Sequence, residues 1–255
     1  MRVDKNKYMT KNVQVGVILV GGKGTRLGWL GKFLPKSLVP IGQKPMLYYI
    51  TRNLLSMKIN KVYLLVNYKK NLIKNYLFGE PEFQKMSFKF IHSKPDFGLA
   101  DVILITGRYI KEPFVVFLGD DLTISPQISQ FPKDGFSKKA IAQEAVIKEN
   151  NPKILSQTCE VFFDKSGKIT KAVEKPQKPK STYRGCGIYF FQPEVFKYIE
   201  KTLPSKSTGK REITDTINLI AQDGKAFAWK IDGVNVNVNT QDDLTKATKY
   251  LFANV

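Results

Sequence analysis

Apolar positions in this chain fall into short runs separated by glycine- and proline-marked breaks, and the spacing within the runs changes from stretch to stretch. Residues 13–20 are almost wholly apolar and end directly in Gly21-Gly22-Lys23-Gly24, the pattern of a short buried strand. In residues 46–57, Leu47, Ile50, Leu54 and Leu55 recur at helical spacing. The same reading predicts strands over 62–66, 88–91 and 114–118, and helices over 71–78 and 99–109.

Beyond residue 120 the pattern changes. Strands are predicted over 140–147, 158–164, 168–173 and 185–191, the middle two joined by the turn signal Asp164-Lys165-Ser166-Gly167. Helices over 193–201 and 213–222, a strand region over 226–238 and a helix over 241–252 complete the chain. Strand–helix alternation followed by strand-rich sequence predicts an α/β fold: a three-layer αβα sandwich whose mostly parallel, Rossmann-like sheet gains antiparallel strands in the second half. No repeat or long linker divides it. One domain over 13–255 is expected, with a first part over about 13–135 and a second over about 136–255, behind a basic, disordered tail at 1–12.

Composition narrows the classes. A chain of 255 residues with 42% hydrophobic and 25% charged content is that of an ordinary globular protein. No apolar run approaches the ~18 residues of a membrane span, and the polar N-terminus is not a secretory signal. Cys159 and Cys186 are far apart and the chain has one histidine, which argues against a disulfide framework or a zinc site and for a reducing, cytoplasmic compartment. The net charge of +19 is unusual, but Lys58, Lys69, Lys70, Lys133, Lys138, Lys139, Lys171 and Lys178 are scattered. We read them as solvated, with some benefit to the on-rate of phosphorylated substrates, and not as a nucleic-acid or membrane surface.

The chemistry concentrates in two places. Gly21, Gly22 and Gly24 let the backbone approach a ligand and turn N–H groups outward, while Arg26 and, after Pro35, Lys36 add cations. The loop is no Walker sequence, because Lys23 is followed by Gly24, and the dinucleotide pattern fails at Leu27. The second place is Gly119-Asp120-Asp121, directly after an apolar strand. Paired carboxylates there suit Mg²⁺ held against phosphate oxygens, and a helix-capping aspartate is the ordinary structural alternative. In open α/β sheets ligands bind beyond the carboxyl ends of strands, where both segments lie.

The string Gly-Gly-x-Gly-Thr-Arg-Leu, then Pro35-Lys36 and Lys44-Pro45-Met46, resembles the signature of the sugar-1-phosphate nucleotidyltransferases, most closely their glucose-1-phosphate uridylyl- and thymidylyltransferase branches. Further elements resemble that family in its order: His92 through Gly98-Leu99-Ala100, Leu118-Gly119-Asp120-Asp121, Glu174-Lys175-Pro176, the strand after Arg184 with Gly187, and Glu212-Ile213-Thr214-Asp215. The resemblance implies nucleotide contacts by Leu19, Gly21, Gly22, Gly24 and Thr25, and reading of the base by Gly98 and by His92, which stands where the family has glutamine. It implies that Arg26 holds the leaving pyrophosphate, Lys36 the α-phosphate and Lys175 the sugar phosphate. Asp120 would hold Mg²⁺, with Asp121, Glu174, Gly187 and Glu212 on the sugar side. The partners it implies are a nucleoside triphosphate, UTP or dTTP by the wording of the motifs, and a sugar 1-phosphate such as glucose 1-phosphate; homo-oligomer formation stays open.

Two positions depart from the family pattern. Thr158-Cys159 replaces a Tyr-Gly beside the sugar, and Asn237 replaces an aspartate that helps hold metal. An amide oxygen is a poorer Mg²⁺ ligand than a carboxylate. Either Asp232 substitutes, or the ion binds more weakly, or turnover is lost and the chain binds nucleotide sugar as a regulator or scaffold.

Overall fold

The computed structural model describes residues 13–94, 97–131, 139–206 and 208–253; the expected tail at 1–12 lies outside them. The first apolar run is strand β1 (Val15–Leu19), buried along its length. Its side chains divide between two layers: Val15, Val17 and Leu19 join one buried cluster, Ile18 the other. Gly16 faces the second layer, where Leu54 Cδ1 would stand 2.8 Å from an added Cβ.

Two small antiparallel strands, β2 (Pro40–Ile41) and β3 (Lys44–Pro45), lead into helix α2, after a short α1 (Trp29–Phe33). α2 (Met46–Ser56) buries Leu47, Ile50 and Leu54 of the stripe read from the sequence, together with Met46, while Leu55 is only partly buried. β4 (Lys61–Val66), α3 (Lys70–Gly79), β5 (Ser87–His92), α4 (Leu99–Leu104) and β6 (Phe114–Leu118) follow. The predicted helix over 99–109 tightens into a 3-10 turn at Ile105–Arg108. Directly after β6 lies a further strand, β7 (Asp121–Ile124), which the hydropathy pattern did not mark.

The second half supplies β8 (Ala142–Lys148), α5 (Pro152–Leu155), β9 (Cys159–Phe163), β10 (Ile169–Glu174) and β11 (Tyr183–Phe191). Then come α6 (Val195–Lys201), α7 (Ile213–Gln222), β12 (Ala226–Lys230), β13 (Val234–Asn237) and α8 (Gln241–Ala253). The single strand region expected over 226–238 is thus two strands in different sheets, broken at Gly233 with φ 117°.

In the main sheet β6, β1, β4 and β5 run parallel, with β1 between β6 and β4. β11 adds to β6 antiparallel and carries β9, β10 and β8 beyond it, with β12 parallel to β8. α2, α3 and α8 cover one face and α4, α6 and α7 the other, the αβα sandwich expected. The chain passes from β1 outward to β4 and β5 and returns to place β6 on the opposite side of β1. The loops leaving β1 and β6 therefore diverge, which opens a crevice at their carboxyl ends.

Candidate active site

That crevice is a cavity of about 270 Å³ lined by Leu19, Gly21, Gly22, Lys36, Ser93 and Asp120, among others. Its rear wall is a backbone seam, where Gly119 N–H donates to Leu19 O at 2.9 Å and Val20 N–H to Leu65 O at 3.0 Å. Gly24 takes a left-handed conformation, φ 73°, and starts the 3-10 turn Thr25–Leu27 that carries the exposed Arg26. A side chain is excluded from Gly31 in α1, because its Cβ would lie 2.0 Å from Gly24 O. The glycine loop is thereby folded back on the segment after it, and Lys36 N–H donates to Gly22 O at 3.1 Å.

Lys36 is 7% exposed, so its ammonium must find partners. Nζ lies 2.6 Å from Asp120 Oδ2 and donates to Asn239 Oδ1 at 2.7 Å. Arg26 donates to the same Asn239 oxygen at 2.9 Å. Asn239 Nδ2 donates in turn to Asn237 Oδ1, and Asn237 Nδ2 donates to Asp121 Oδ1 at 3.0 Å. One chain of side chains therefore joins the glycine-loop cations to both carboxylates. Asn239 was not singled out from the sequence, although it stands two residues after Asn237.

β13 brings these amides to the site. It pairs antiparallel with β7, Asn237 opposite Asp121, and Val238 N–H donates to Asp120 O at 2.8 Å. The buried Arg184 fixes the ribbon by donating to Asn235 Oδ1 and, at 2.6 Å, to Asn235 O, while Asn235 Nδ2 donates to Thr123 Oγ1 at 2.8 Å. Asp243 caps α8 by accepting from Asn239 N–H, Thr240 N–H and Thr240 Oγ1. Burial, and then the neighbouring Asp120 charge, raise the Asp121 carboxyl above its ordinary range.

Among the described residues no cluster of three His, Cys, Asp or Glu side chains could hold a metal. Asp120 and Asp121, with the Asn237 amide oxygen, are nonetheless hard oxygen donors of the kind Mg²⁺ accepts, since it commonly takes one or two carboxylates and completes its shell with phosphate and water. Asp232 is not brought to them. It accepts from Gln127 Nε2 at 3.1 Å beyond the Ile124 end of the ribbon, five residues along the chain from Asn237.

The residues expected to read a nucleobase are also placed differently from the sequence expectation. His92 ends β5 with its side chain exposed and does not line the cavity; the next residue, Ser93, points the other way and does. Gly98 is buried where an added Cβ would stand 2.1 Å from Arg211 O, which also accepts from Ala100 N–H. Arg211 donates to Asp101 at 2.9 Å. The cavity wall at Phe97 and Leu99 is thus seated on the start of α7.

Of the residues expected on the sugar side, Glu212 is the residue before α7 and accepts from Thr208 Oγ1 at 2.8 Å. Thr214 donates to Glu174 Oε2 at 3.1 Å, so the Glu-Lys-Pro and Glu-Ile-Thr-Asp strings meet. Lys175 is exposed, with φ 45° and its ammonium 3.6 Å from Glu174. Gly187 has φ 66°, and the space its side chain would take is filled by Asp121 Oδ2, 2.3 Å from the position of a Cβ.

A family model described as nucleotidyl transferase matches residues 15–250. The bifunctional protein GlmU of Methanocaldococcus jannaschii is 32% identical over 92% of this chain, which spans about half of that relative's length (54%). The UTP–glucose-1-phosphate uridylyltransferase AglF of Haloferax volcanii is 28% identical over 92% of this chain and 95% of its own. The fold matches the crystal structure of a UDP-glucose pyrophosphorylase complexed with UDP-glucose, with a TM-score of 0.83 and 22% identity over 95% of this chain and 100% of that one. The chain belongs to the nucleotidyl transferase family.

Proposed function

From membership of that family, we propose that this chain transfers a nucleotidyl group from a nucleoside triphosphate, UTP or dTTP, to a hexose 1-phosphate such as glucose 1-phosphate, releasing pyrophosphate. The observation that carries the reading is Lys36, held between the Asp120 carboxylate and the Asn239 amide at the mouth of a cavity sized for a nucleoside.

In this reaction a sugar-phosphate oxygen attacks the α-phosphorus, a P–O bond forms in line with the one that breaks, and pyrophosphate carries away the electron pair. The attacking phosphate is already anionic, so no general base is needed, which suits a site without histidine at the reacting centre. Catalysis is then alignment and neutralisation of charge. Lys36, with one of its three N–H donors free of the two acceptors described, neutralises the α-phosphate. Arg26, using one donor on Asn239, keeps the rest for the leaving pyrophosphate. Leu19, Gly21 and Gly22 wall the nucleoside, and exposed Lys175 meets the sugar phosphate. Mg²⁺, held by Asp120 with Asp121 and Asn237, supplies further neutralisation of phosphate charge when bound.

The test is pyrophosphate release from UTP, dTTP, CTP, ATP and GTP with glucose 1-phosphate and Mg²⁺. Release with the pyrimidines is expected. Background release from every pair, with nucleotide sugar still bound, would replace the enzyme by the regulator or scaffold to which the Asn237 amide points.

A further inference from the structure

The two ends of the cavity differ in chemistry. Lys36 and Asp120 stand at one end, while Leu65 and Leu99 make an apolar wall at the other. The strand order β6, β1, β4, β5 sets that separation: Asp120 follows β6 and Asn67 follows β4, two strand spacings or about 10 Å apart. A charged group and an apolar ring of one ligand can therefore occupy the two ends together.

Asn67 is an anomaly in the apolar end. It is half-buried and lines the cavity, yet its Oδ1 is buried and meets no hydrogen-bond partner among the described residues. Gly21 makes room for the amide: a Cβ added there would stand 3.0 Å from Asn67 Nδ2 and 3.2 Å from Oδ1. An unmet amide oxygen lowers stability relative to an apolar side chain of like size, so the fold alone gives no reason for asparagine here. Glu144 on β8, 1% exposed, carries a similar unmet oxygen, and burial and the Glu174 charge push its carboxyl up to about 8, but it does not line the cavity. Asn67 does. Its neighbours leave it the polar work: His92 is turned out of the cavity, and Ser93, 3% exposed, offers one short hydroxyl. Among the described residues no other side chain at this end sets a donor and an acceptor side by side.

Resting on the function proposed above, we infer that Asn67 reads the nucleobase: its side-chain amide accepts from N3–H of a uracil or thymine ring and donates to a carbonyl beside it. The imide edge of such a ring sets one N–H between two carbonyl oxygens, which matches the donor and acceptor of an amide. Turning about the Cβ–Cγ bond, a broad and soft torsion, brings Oδ1 to that N–H. Leucine at 67 keeps nearly the same shape and offers neither hydrogen bond.

The experiment is calorimetric titration of wild type and Asn67→Leu with UTP, dTTP, their N3-methyl derivatives and inorganic tripolyphosphate. N3-methylation should weaken binding to wild type by about tenfold or more, because it removes the N–H that Oδ1 accepts. Asn67→Leu should bind the unmodified nucleotides about tenfold more weakly than wild type, and methylation should then cost it less than about threefold, since both changes break the same bond. Tripolyphosphate, which has no base, should bind both proteins alike, showing that the variant keeps a folded site. Equal binding of methylated and unmodified nucleotide by wild type, the same methylation loss in both proteins, or a parallel loss of tripolyphosphate in Asn67→Leu overturns the inference and leaves the proposed function standing. The expected pattern in a protein that releases no pyrophosphate supports the inference and overturns the proposed turnover. Binding of neither UTP nor dTTP by wild type overturns both.

Discussion

Asn237 donates its side-chain amide hydrogen to the Asp121 carboxylate across 3.0 Å, a bond that an ionised aspartate at 237 could not make. The Asn237→Asp variant would instead set two carboxylates face to face, with Asp120 adjoining. Without divalent cation it should be about 1–3 kcal/mol less stable than wild type, the cost of removing a partner from a buried charged group. Mg²⁺ should raise its melting temperature more than that of wild type, and its activity at limiting Mg²⁺ should also rise. Thermal unfolding with and without Mg²⁺ checks this; equal Mg²⁺ shifts would show that position 237 does not face the ion.

Asn239 orients Arg26 and Lys36 through one oxygen. Asn239→Ala should raise the KM for the triphosphate about tenfold, as expected for losing hydrogen bonds to charged donors, while the sugar-phosphate KM stays put. Combined with Arg26→Ala, the loss should be less than the product of the single effects, because each variant breaks the same bond. Fully multiplicative losses would separate the two residues.

Lys36→Met should lower kcat by a factor of roughly 100 or more, since it removes a buried cation aimed at developing phosphate charge. Lys36→Arg should not restore it, because the planar guanidinium cannot occupy the point between Asp120 and Asn239. Single-turnover rates measured at saturating substrates decide the matter.

Gly98→Ala would drive a methyl group to 2.1 Å from Arg211 O, at the seam between the cavity wall and α7. The expected loss exceeds about 1 kcal/mol in urea unfolding. A neutral result would mean that the seam yields.

Glu144 gives a pH signature with a definite sign. Its carboxyl is raised from an ordinary 4.5 to about 8 in the fold, so between those values the folded chain holds a proton that the unfolded chain has released. Its contribution to stability is therefore full below about pH 4.5 and is lost as pH rises through about 8. The charged or titratable groups that act on it or lie beside it are Glu174 on β10, Cys159 on β9, and Cys186 and Tyr189 on β11. Glu144→Gln, which cannot ionise, should gain stability relative to wild type between pH 5 and pH 9. Parallel melting curves for the two proteins across that range would contradict the shift.

Much of the fold was legible because its signals are local. The apolar run at Val15–Leu19, the helical stripe of α2 and the Asp164-Lys165-Ser166-Gly167 turn each encode their element within a few residues. Glycines and cations of the loop after β1, and the two carboxylates after β6, were legible for the same reason. The strand β7 and the splitting of the last strand region were not, because among the described residues β7 and β13 pair only with each other, across 110 residues or more of sequence.

Side-chain direction was the other hidden quantity. Whether His92 or Ser93 faces the cavity depends on the pleat of β5, which alternates with each residue and is fixed by pairing with β4. Likewise Asn239 became part of the site only because the ribbon carries residues 237–239 up to Asp120 and Lys36. Sequence alone determined the class of fold, the loop chemistry and the resemblance to a nucleotidyl-transferring family. Tertiary structure decided which amides join cations to carboxylates and left Glu144 buried with an unmet oxygen, since both depend on long-range strand pairing that no local pattern encodes.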